Sequence, residues 1–316
     1  LSLAARIRAY LGSRAVIPAA MLLLPTFLAF LSAETWWLAE QLNPFRVQYA
    51  LAGLFLAALS RWGTGKGGWV AAVVVVVNLA CIVPLYSQPS LEASDVPPLR
   101  VMSFNIQSEN YRYDAVRAQI REHSPDVAII IEVTKPWVRE LKRLQGYEAV
   151  VEHPEPGHFG MMVLARVPVQ TARKRSFSTA DLTSVEVSLD WHGRTIKLLG
   201  THTMPPFNAQ ATALRRSHLD DLAHWSKTSS HAYAIFGDLN ATPFSGDFED
   251  LLAQGQLHRA ATGVRFTWPA KPMLWPLSIE LDHGLLGPDL VAVGYEVGDS
   301  VGSDHRPVIV DLTFAE

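Results

Sequence analysis

The sequence predicts an α/β domain of about 215 residues carried behind a membrane segment of three helices. Three observations predict it. The first ninety residues contain three long apolar runs. From Leu99 onward, strand-like runs, several of them apolar throughout, alternate with polar, helix-like runs. Finally, Asn, Glu, Asp and His stand where those apolar runs end, at the rim of a sheet, where open α/β folds bind ligands. With 49% hydrophobic and 18% charged residues, the chain is neither disordered nor collagen-like. Its single cysteine, Cys81, excludes an intrachain disulfide and a cysteine-based zinc site.

The membrane segment, residues 1–87, rests on runs at about 15–33, 44–60 and 69–86. Ala15–Ala33 has no charge, Pro44–Ser60 has only Arg46, and Trp69–Tyr86 contains five consecutive valines. Each approaches the roughly 20 residues that cross a hydrocarbon core. Trp36, Trp37, Trp62, Trp69 and Tyr86 stand at run ends, where interfacial aromatics belong. A signal peptide accounts for the first run and not for the other two. Arg6, Arg8 and Arg14 precede the first run, Glu34 and Glu40 follow it, and Arg61 and Lys66 lie between the second and third. The positive-inside bias then expects a multi-pass protein of the cell membrane, with a cytoplasmic N-terminus and an extracytoplasmic catalytic domain. Residues 88–98, rich in Ser and Pro, read as a linker.

In the domain at 99–316, strands are expected at Leu99–Ile106, Val127–Val133, Met161–Ala165, Ser184–Leu189, Thr195–Leu199, Tyr233–Phe236, Leu281–Leu286 and Pro307–Leu312. Helices are expected at Asp114–Glu122, Pro136–Leu144, Ala209–Trp225 and Asp247–Gln254. Unbroken apolar strands suit a sheet buried on both faces.

The chemistry-bearing residues sit at the ends of these strands. Val101-Met102-Ser103-Phe104-Asn105 ends at Asn105, Ala128-Ile129-Ile130-Ile131-Glu132 at Glu132, and Leu199-Gly200-Thr201-His202 at His202. In Gly237-Asp238-Leu239-Asn240, Asp238 and Asn240 share one face of an extended segment. Glu280-Leu281-Asp282-His283 puts a carboxylate in an apolar strand, with His283 on the opposite, structural face. Ser303-Asp304-His305-Arg306-Pro307 precedes the last strand. Carboxylate and amide oxygens suit Mg²⁺, with Mn²⁺ as the alternative, so Glu132, Asn105 and Asp304 are the expected metal ligands. Asp238 and Asn240 are expected to position the attacking water and a substrate oxygen. Asp282 would orient His305, which acts as general base or as electrostatic partner. His202 would hydrogen-bond a substrate oxygen or protonate the leaving group.

These motifs, in this order, resemble the endonuclease/exonuclease/phosphatase superfamily, which includes DNase I-like nucleases, inositol polyphosphate phosphatases and neutral sphingomyelinases. Phe159-Gly160-Met161-Met162-Val163-Leu164-Ala165-Arg166 is similar to the family's Gly-x-x-x-Leu-Ser-Arg strand, with Ala165 at the Ser position. The resemblance covers roughly residues 99–313 and implies a four-layer α/β/β/α sandwich. Some nucleases of the family carry an acid two residues beyond the first Asn; this chain has Gln107, which weakens the case for a second metal. The three preceding runs resemble the membrane-anchored branch that includes glycopeptide-resistance proteins acting on undecaprenyl diphosphate.

Substrate class is read from charge and from the apolar segments near the motifs. Residues 1–90 hold six basic and two acidic residues, and the remainder holds 21 basic and 28 acidic, a net −7 that disfavours nucleic acid. Two segments, Thr203-Met204-Pro205-Pro206-Phe207 and Phe266–Leu277 with Trp268 and Trp275, are apolar and Pro-rich and suit an interfacial lip. The expected activity is a metal-dependent phosphohydrolase of a lipid-linked phosphate or diphosphate. The alternatives are a sphingomyelinase-like lipid phosphodiesterase, an anchored extracytoplasmic nuclease and a non-catalytic binding module. No protein partner is implied.

Overall fold

The structure, a computed structural model, describes residues 2, 3, 10, 15–31, 36–62, 67–87 and 91–316. Arg6, Arg8, Arg14, Glu34 and Lys66, from which the membrane orientation is read, lie outside the described residues, as do residues 88–90 of the expected linker. The chain divides into two compact units, residues 1–88 with 243–246 and residues 89–242 with 247–316.

In the first unit, helices α1 (Val16–Leu28), α2 (Arg46–Trp62) and α3 (Gly68–Ile82) pack on one another, and α3 continues as a 3₁₀ turn through Tyr86. The expectation of three spans is corrected here. Among the described residues one helix, Gly68–Tyr86, is long and apolar enough to cross a membrane. The 13 residues of α1 reach only about 20 Å, because helical structure ends well before the apolar run does. A run of apolar residues measures composition, whereas a span needs an unbroken helix. The unit's interior holds small and larger apolar residues, such as Ala19, Ala71, Leu56 and Val74, together with a polar group. Arg46 donates to the Thr26 carbonyl (2.8 Å) and Asn43 Oδ1 (3.3 Å), while Asn78 Nδ2 donates to Thr26 Oγ1 (3.2 Å). Its exposed positions are apolar: Met21, Leu24, Phe27, Leu51, Phe55 and Val76.

The second unit contains two six-stranded sheets. One has the order β11-β12-β1-β2-β4-β3 and the other β5-β6-β7-β8-β10-β9. In the first sheet, β1 (Leu99–Asn105) and β2 (Val127–Ile131) run parallel, β12 (Val308–Phe314) flanks β1, and β4 (Met161–Ala165) flanks β2. In the second, β7 (Arg194–His202) and β8 (Ala232–Asp238) run parallel between β6 (Leu182–Trp191) and β10 (Asp282–Leu286). Alternation along each strand separates two faces. Val127, Ile129 and Ile131 of β2 enter the core between the sheets with Val185, Leu198 and Phe236. Ala128 and Ile130 face outward against α4 (Tyr113–His123) and α5 (Lys135–Leu141) through Val116, Ile120, Trp137 and Leu141. On the other side, Leu199, Ile235 and Leu285 meet α6 (Ala209–Lys227) and α7 (Gly246–Gly255) through Leu219, Leu222, Phe248 and Leu251. The expected four layers, helix, sheet, sheet, helix, are present. Both faces of the central strands are covered, and for that reason those strands read as continuous apolar runs.

Four strands escape the sequence pattern: β3 (Glu148–His153), β5 (Thr171–Phe177) and β9 (His258–Arg259) carry no long apolar run, and β11 (Leu290–Val297) opens with one, at residues 290–293, but is partly exposed beyond Leu290. All four are sheet edges. Residues 92–96 also belong to this unit. Ala93 bridges Ala315, Ser94 N–H donates to the Phe314 carbonyl (2.9 Å), and Thr313 Oγ1 donates to the Val96 carbonyl (2.9 Å).

Candidate active site

The two parallel strand pairs bring the polar strand ends to one rim. In the first sheet Asn105 is in register with Ile131, so Asn105 and the next residue along the second strand, Glu132, are neighbours. In the second sheet His202 and Asp282 are each in register with Asp238, which stands between them. Asn105 joins the sheets: its Nδ2 donates to Glu132 Oε1 (3.0 Å) and to Asp238 Oδ2 (3.2 Å), and its Oδ1 accepts from the Gln107 N–H (3.0 Å). Ser303 Oγ donates to the Asn105 carbonyl (2.7 Å) and accepts from the His305 N–H (3.0 Å), which anchors the segment before β12 beside the same rim.

His305 lies between two carboxylates, Nδ1 against Asp282 Oδ2 (2.9 Å) and Nε2 toward Asp238 Oδ2 (3.6 Å). His202 approaches the same Asp238 oxygen through Nε2 (3.4 Å), while its Nδ1 donates to the His158 carbonyl (2.9 Å). That bond leaves Nε2 facing the site. Thr267 Oγ1 accepts the N–H groups of Leu281 and Asp282 (both 3.1 Å) and so fixes the entry to β10.

The backbone is bent to present these groups. Glu132 and Asn240 have positive φ, 63° and 45°. Such conformations cost about 1–3 kcal/mol each and persist only where surrounding contacts hold them. Glu132 is held by Asn105, by the Ser108 N–H (3.0 Å) and by His158 Nδ1 (3.0 Å). Asn240 is held at both ends: its N–H donates to Asp238 Oδ1 (3.0 Å) and its Nδ2 to the Thr203 carbonyl (2.9 Å). At Gly237, with φ 153°, a Cβ would stand 1.9 Å from the Thr201 carbonyl oxygen, so only glycine lets β8 approach β7 this closely before Asp238.

Burial raises the cost of a charge on Asp238, but His305, His202 and the Asn240 N–H outweigh it and bring its pKa down to about 2. Burial likewise disfavours charge on His305, and Asp282 with Asp238 overcomes it, raising His305 to about 10. His202 is raised in the same way by Asp238 and Glu132 against its burial. Asp282 is raised, because burial and the Asp238 charge exceed the help from His305. Glu132 is lowered: burial is outweighed by the His202 charge and by hydrogen bonds from His158, the Ser108 N–H and Asn105. At neutral pH an ionised Asp238 therefore faces an imidazolium at His305, and His202 beside it is shifted in the same direction.

The buried group Asp238, Asp282 and His305 already has its charge balanced by the protons on histidine. Glu132 is different. It is an ionised, hard oxygen donor that borders exposed side chains, where an ion can keep its waters, and this chemistry fits a divalent cation.

Of the residues expected from sequence, Asn105, Glu132, His202, Asp238, Asp282 and His305 form one contact network. The Asn240 side chain is turned to backbone and orients Asp238 through its N–H. The Asp304 carboxylate accepts from Trp268 Nε1 (3.1 Å) and is absent from the convergent group at Glu132. His283 faces away, against Phe248 and the Ala241 carbonyl. Sequence reasoning missed three participants. His158 adjoins the Phe159-Gly160 motif, a signal that was available, whereas Thr267 and Trp268 lie in a segment that read only as an apolar lip.

The Endonuclease/Exonuclease/phosphatase family matches the chain over residues 102–305. No curated protein matches it. Three solved structures illustrate its structural likeness. An endonuclease/exonuclease/phosphatase from Bacteroides vulgatus is 17% identical with TM-score 0.58, covering 69% of this chain and 99% of that one. TDP2 from D. rerio, complexed with single strand DNA product, is 16% identical with TM-score 0.57, covering 68% and 99%. Sphingomyelinase C from Streptomyces griseocarneus is 18% identical with TM-score 0.53, again covering 68% and 99%. At these identities the likeness is one of fold.

Proposed function

This chain belongs to the endonuclease/exonuclease/phosphatase family, and from that membership and its site we infer a metal-dependent hydrolase of a lipid-linked phosphate or diphosphate at a membrane surface. Phosphoester hydrolysis is the chemistry of the family. The observation that carries it to this chain is the ionised Asp238 held between His202 and a charged His305, beside an ionised Glu132. Asp238 accepts a hydrogen bond from the attacking water and orients it. His305, as a charged donor, stabilises the negative charge that grows on the phosphoryl oxygens, and His202, shifted toward its protonated form by Asp238 and Glu132, acts beside it. A histidine already protonated at neutral pH is a poor general base, so of the two roles open to His305 the electrostatic one is favoured. In its protonated form His202 can also give a proton to the leaving oxygen. Glu132 would hold the cation, Mg²⁺ or Mn²⁺, which when bound would polarise a phosphoryl oxygen.

Two features support a lipid substrate. With a polar cluster buried among apolar residues and large apolar side chains exposed, the helical unit has an arrangement that suits lipid surroundings. Near the site, residues 269–278 form a loop closed by the Trp268–Ile279 bridge, and its Met273, Leu274, Trp275 and Leu277 are exposed, as is Phe207 beyond β7. An undecaprenyl-type diphosphate, with its chain in the bilayer and its head group at the site, fits both, and we place the site on the extracytoplasmic side. The net −7 of residues 91–316 speaks against DNA. The test is phosphate release by the full chain in vesicles containing a polyprenyl diphosphate, a phosphatidic acid, a sphingomyelin-type diester or no lipid substrate, with DNA as a further arm. The diphosphate should be preferred. Preferred cleavage of DNA would overturn the lipid reading, and preferred cleavage of the diester would replace it with a phosphodiesterase.

A further inference from the structure

The chain has a second imidazole near the cation site that the hydrolytic reading does not use. His158 Nδ1 is 3.0 Å from Glu132 Oε2, and a carboxylate oxygen of Glu109 converges with both within 4.8 Å. The site contrasts with the buried Asp238 group. His158 and Glu109 are exposed, so solvent reaches this side of Glu132. The approach is built from three directions. Ser108 N–H holds the same Glu132 oxygen (3.0 Å) and fixes its orientation, and Glu109 follows Ser108 directly. Gly160, where a Cβ would stand 1.9 Å from the Val133 carbonyl oxygen, lets the chain carrying His158 fold tightly over the end of β2. The His158 carbonyl is occupied by His202 Nδ1, which fixes that stretch of backbone. Nδ1 and Oε2 are as far apart as neighbouring corners of an octahedron with bonds of about 2.1 Å.

We propose that His158 and Glu109 join Glu132 as ligands of its cation, making a two-carboxylate, one-imidazole site that prefers Mn²⁺ or another first-row transition ion to Mg²⁺. The inference rests on the reading that a cation binds at Glu132. Magnesium favours an all-oxygen shell, whereas imidazole nitrogen raises affinity for transition ions. Gln107 stands where some nucleases of the family carry an acid, and Asp304 is engaged by Trp268, so nearby carboxylate donors are scarce and an imidazole takes one place. Because His158 also holds His202 through its carbonyl, an ion bound to its ring is tied to the orientation of a catalytic histidine.

The experiment is Mn²⁺ binding to the full chain, followed by electron paramagnetic resonance, with nitrogen couplings read by electron spin echo modulation and with Mg²⁺ competition. Wild type should bind one Mn²⁺ with a ¹⁴N coupling. His158→Gln should abolish the coupling, weaken Mn²⁺ binding about tenfold or more and lower the Mn²⁺ over Mg²⁺ preference. Glu109→Gln should weaken both ions and retain the coupling. His305→Gln should retain it too. Bound Mn²⁺ without ¹⁴N coupling, or a coupling that survives His158→Gln, would overturn the proposal while leaving a cation at Glu132 in place. If wild type and Glu132→Gln bind Mn²⁺ equally, or neither binds it, the cation reading at Glu132 fails together with the proposal. His158 is exposed, so circular dichroism of the variants should be unchanged.

Discussion

Individual side chains at this site act through the company they keep, and the clearest case is His305. Alone it would titrate near 6.5, and burial would lower that further. Asp282 and Asp238 reverse the direction and take it to about 10. Asp282→Asn removes the larger of these raising influences, so the alkaline limb of the kcat/KM profile should move down by about one to three pH units. An unmoved limb would detach His305 from that profile. Glu132→Gln keeps shape and loses a hard anionic donor; cation-dependent turnover should fall about a hundredfold or more with no change in thermal unfolding. His218 shows the opposite balance. It is fully buried, bonded to Thr201 Oγ1 (3.0 Å), and lowered to about 3 by burial and then by the His202 charge. Between pH 6.5 and about 3 the unfolded chain takes up a proton here that the folded chain refuses, so stability is lost as pH falls through that window. His218→Gln removes this uptake. The stability difference between pH 7 and pH 5, measured by urea unfolding, should shrink by about 2 kcal/mol.

Secondary-structure elements divide into those visible in the sequence and those made by their neighbours. Strands β1, β2, β4, β8 and β12 are apolar on both faces because a sheet and a helix layer cover them. The edge strands β3, β5 and β9 carry no such run, and β11 has one only over residues 290–293. In β5, Arg173 and Arg175 both pair with the buried Glu186 of β6, and pairing rather than apolar burial makes it a strand. The loop before β10 separates two tryptophans that look equivalent in sequence. Trp268 donates to Asp304 and packs near His305 (6.3 Å between ring centroids), whereas Trp275 is exposed. Trp268→Phe should lower kcat/KM on vesicle-embedded and on short-chain soluble substrate alike. Trp275→Ser with Leu274→Ser should lower it on vesicles only. Equal losses from the second pair would make the loop a structural lid.

For the whole molecule, the helical unit and the α/β unit differ in the surface they present. Both bury apolar residues; the helices in addition bury Thr26, Asn78 and Arg46 while exposing Met21, Phe55 and Val76. In water such a surface drives association; in lipid it is satisfied. The full chain should therefore remain in the membrane fraction through alkaline carbonate and high salt. Release into the soluble fraction would remove the membrane reading, and with it the reason to prefer a lipid substrate over a soluble ester.

The α/β class, the central strands and six of the eight expected site residues as one network were legible in the sequence, because short-range rules govern them. An apolar run marks a strand covered on both faces, and a polar residue ending such a run must lie at a rim. What the tertiary structure decided depends on groups distant in sequence. Asn105 bridges two sheets to Asp238, 133 residues away. Asp304 turns to Trp268, and His158 turns to Glu132, through loops whose course no periodicity records. Helix lengths in the first unit were decided there too, since an apolar run does not show where its helix stops. The charge states of His305 and Asp238 follow from burial and from partners on other strands, and electrostatic energy depends on separation in space rather than along the chain.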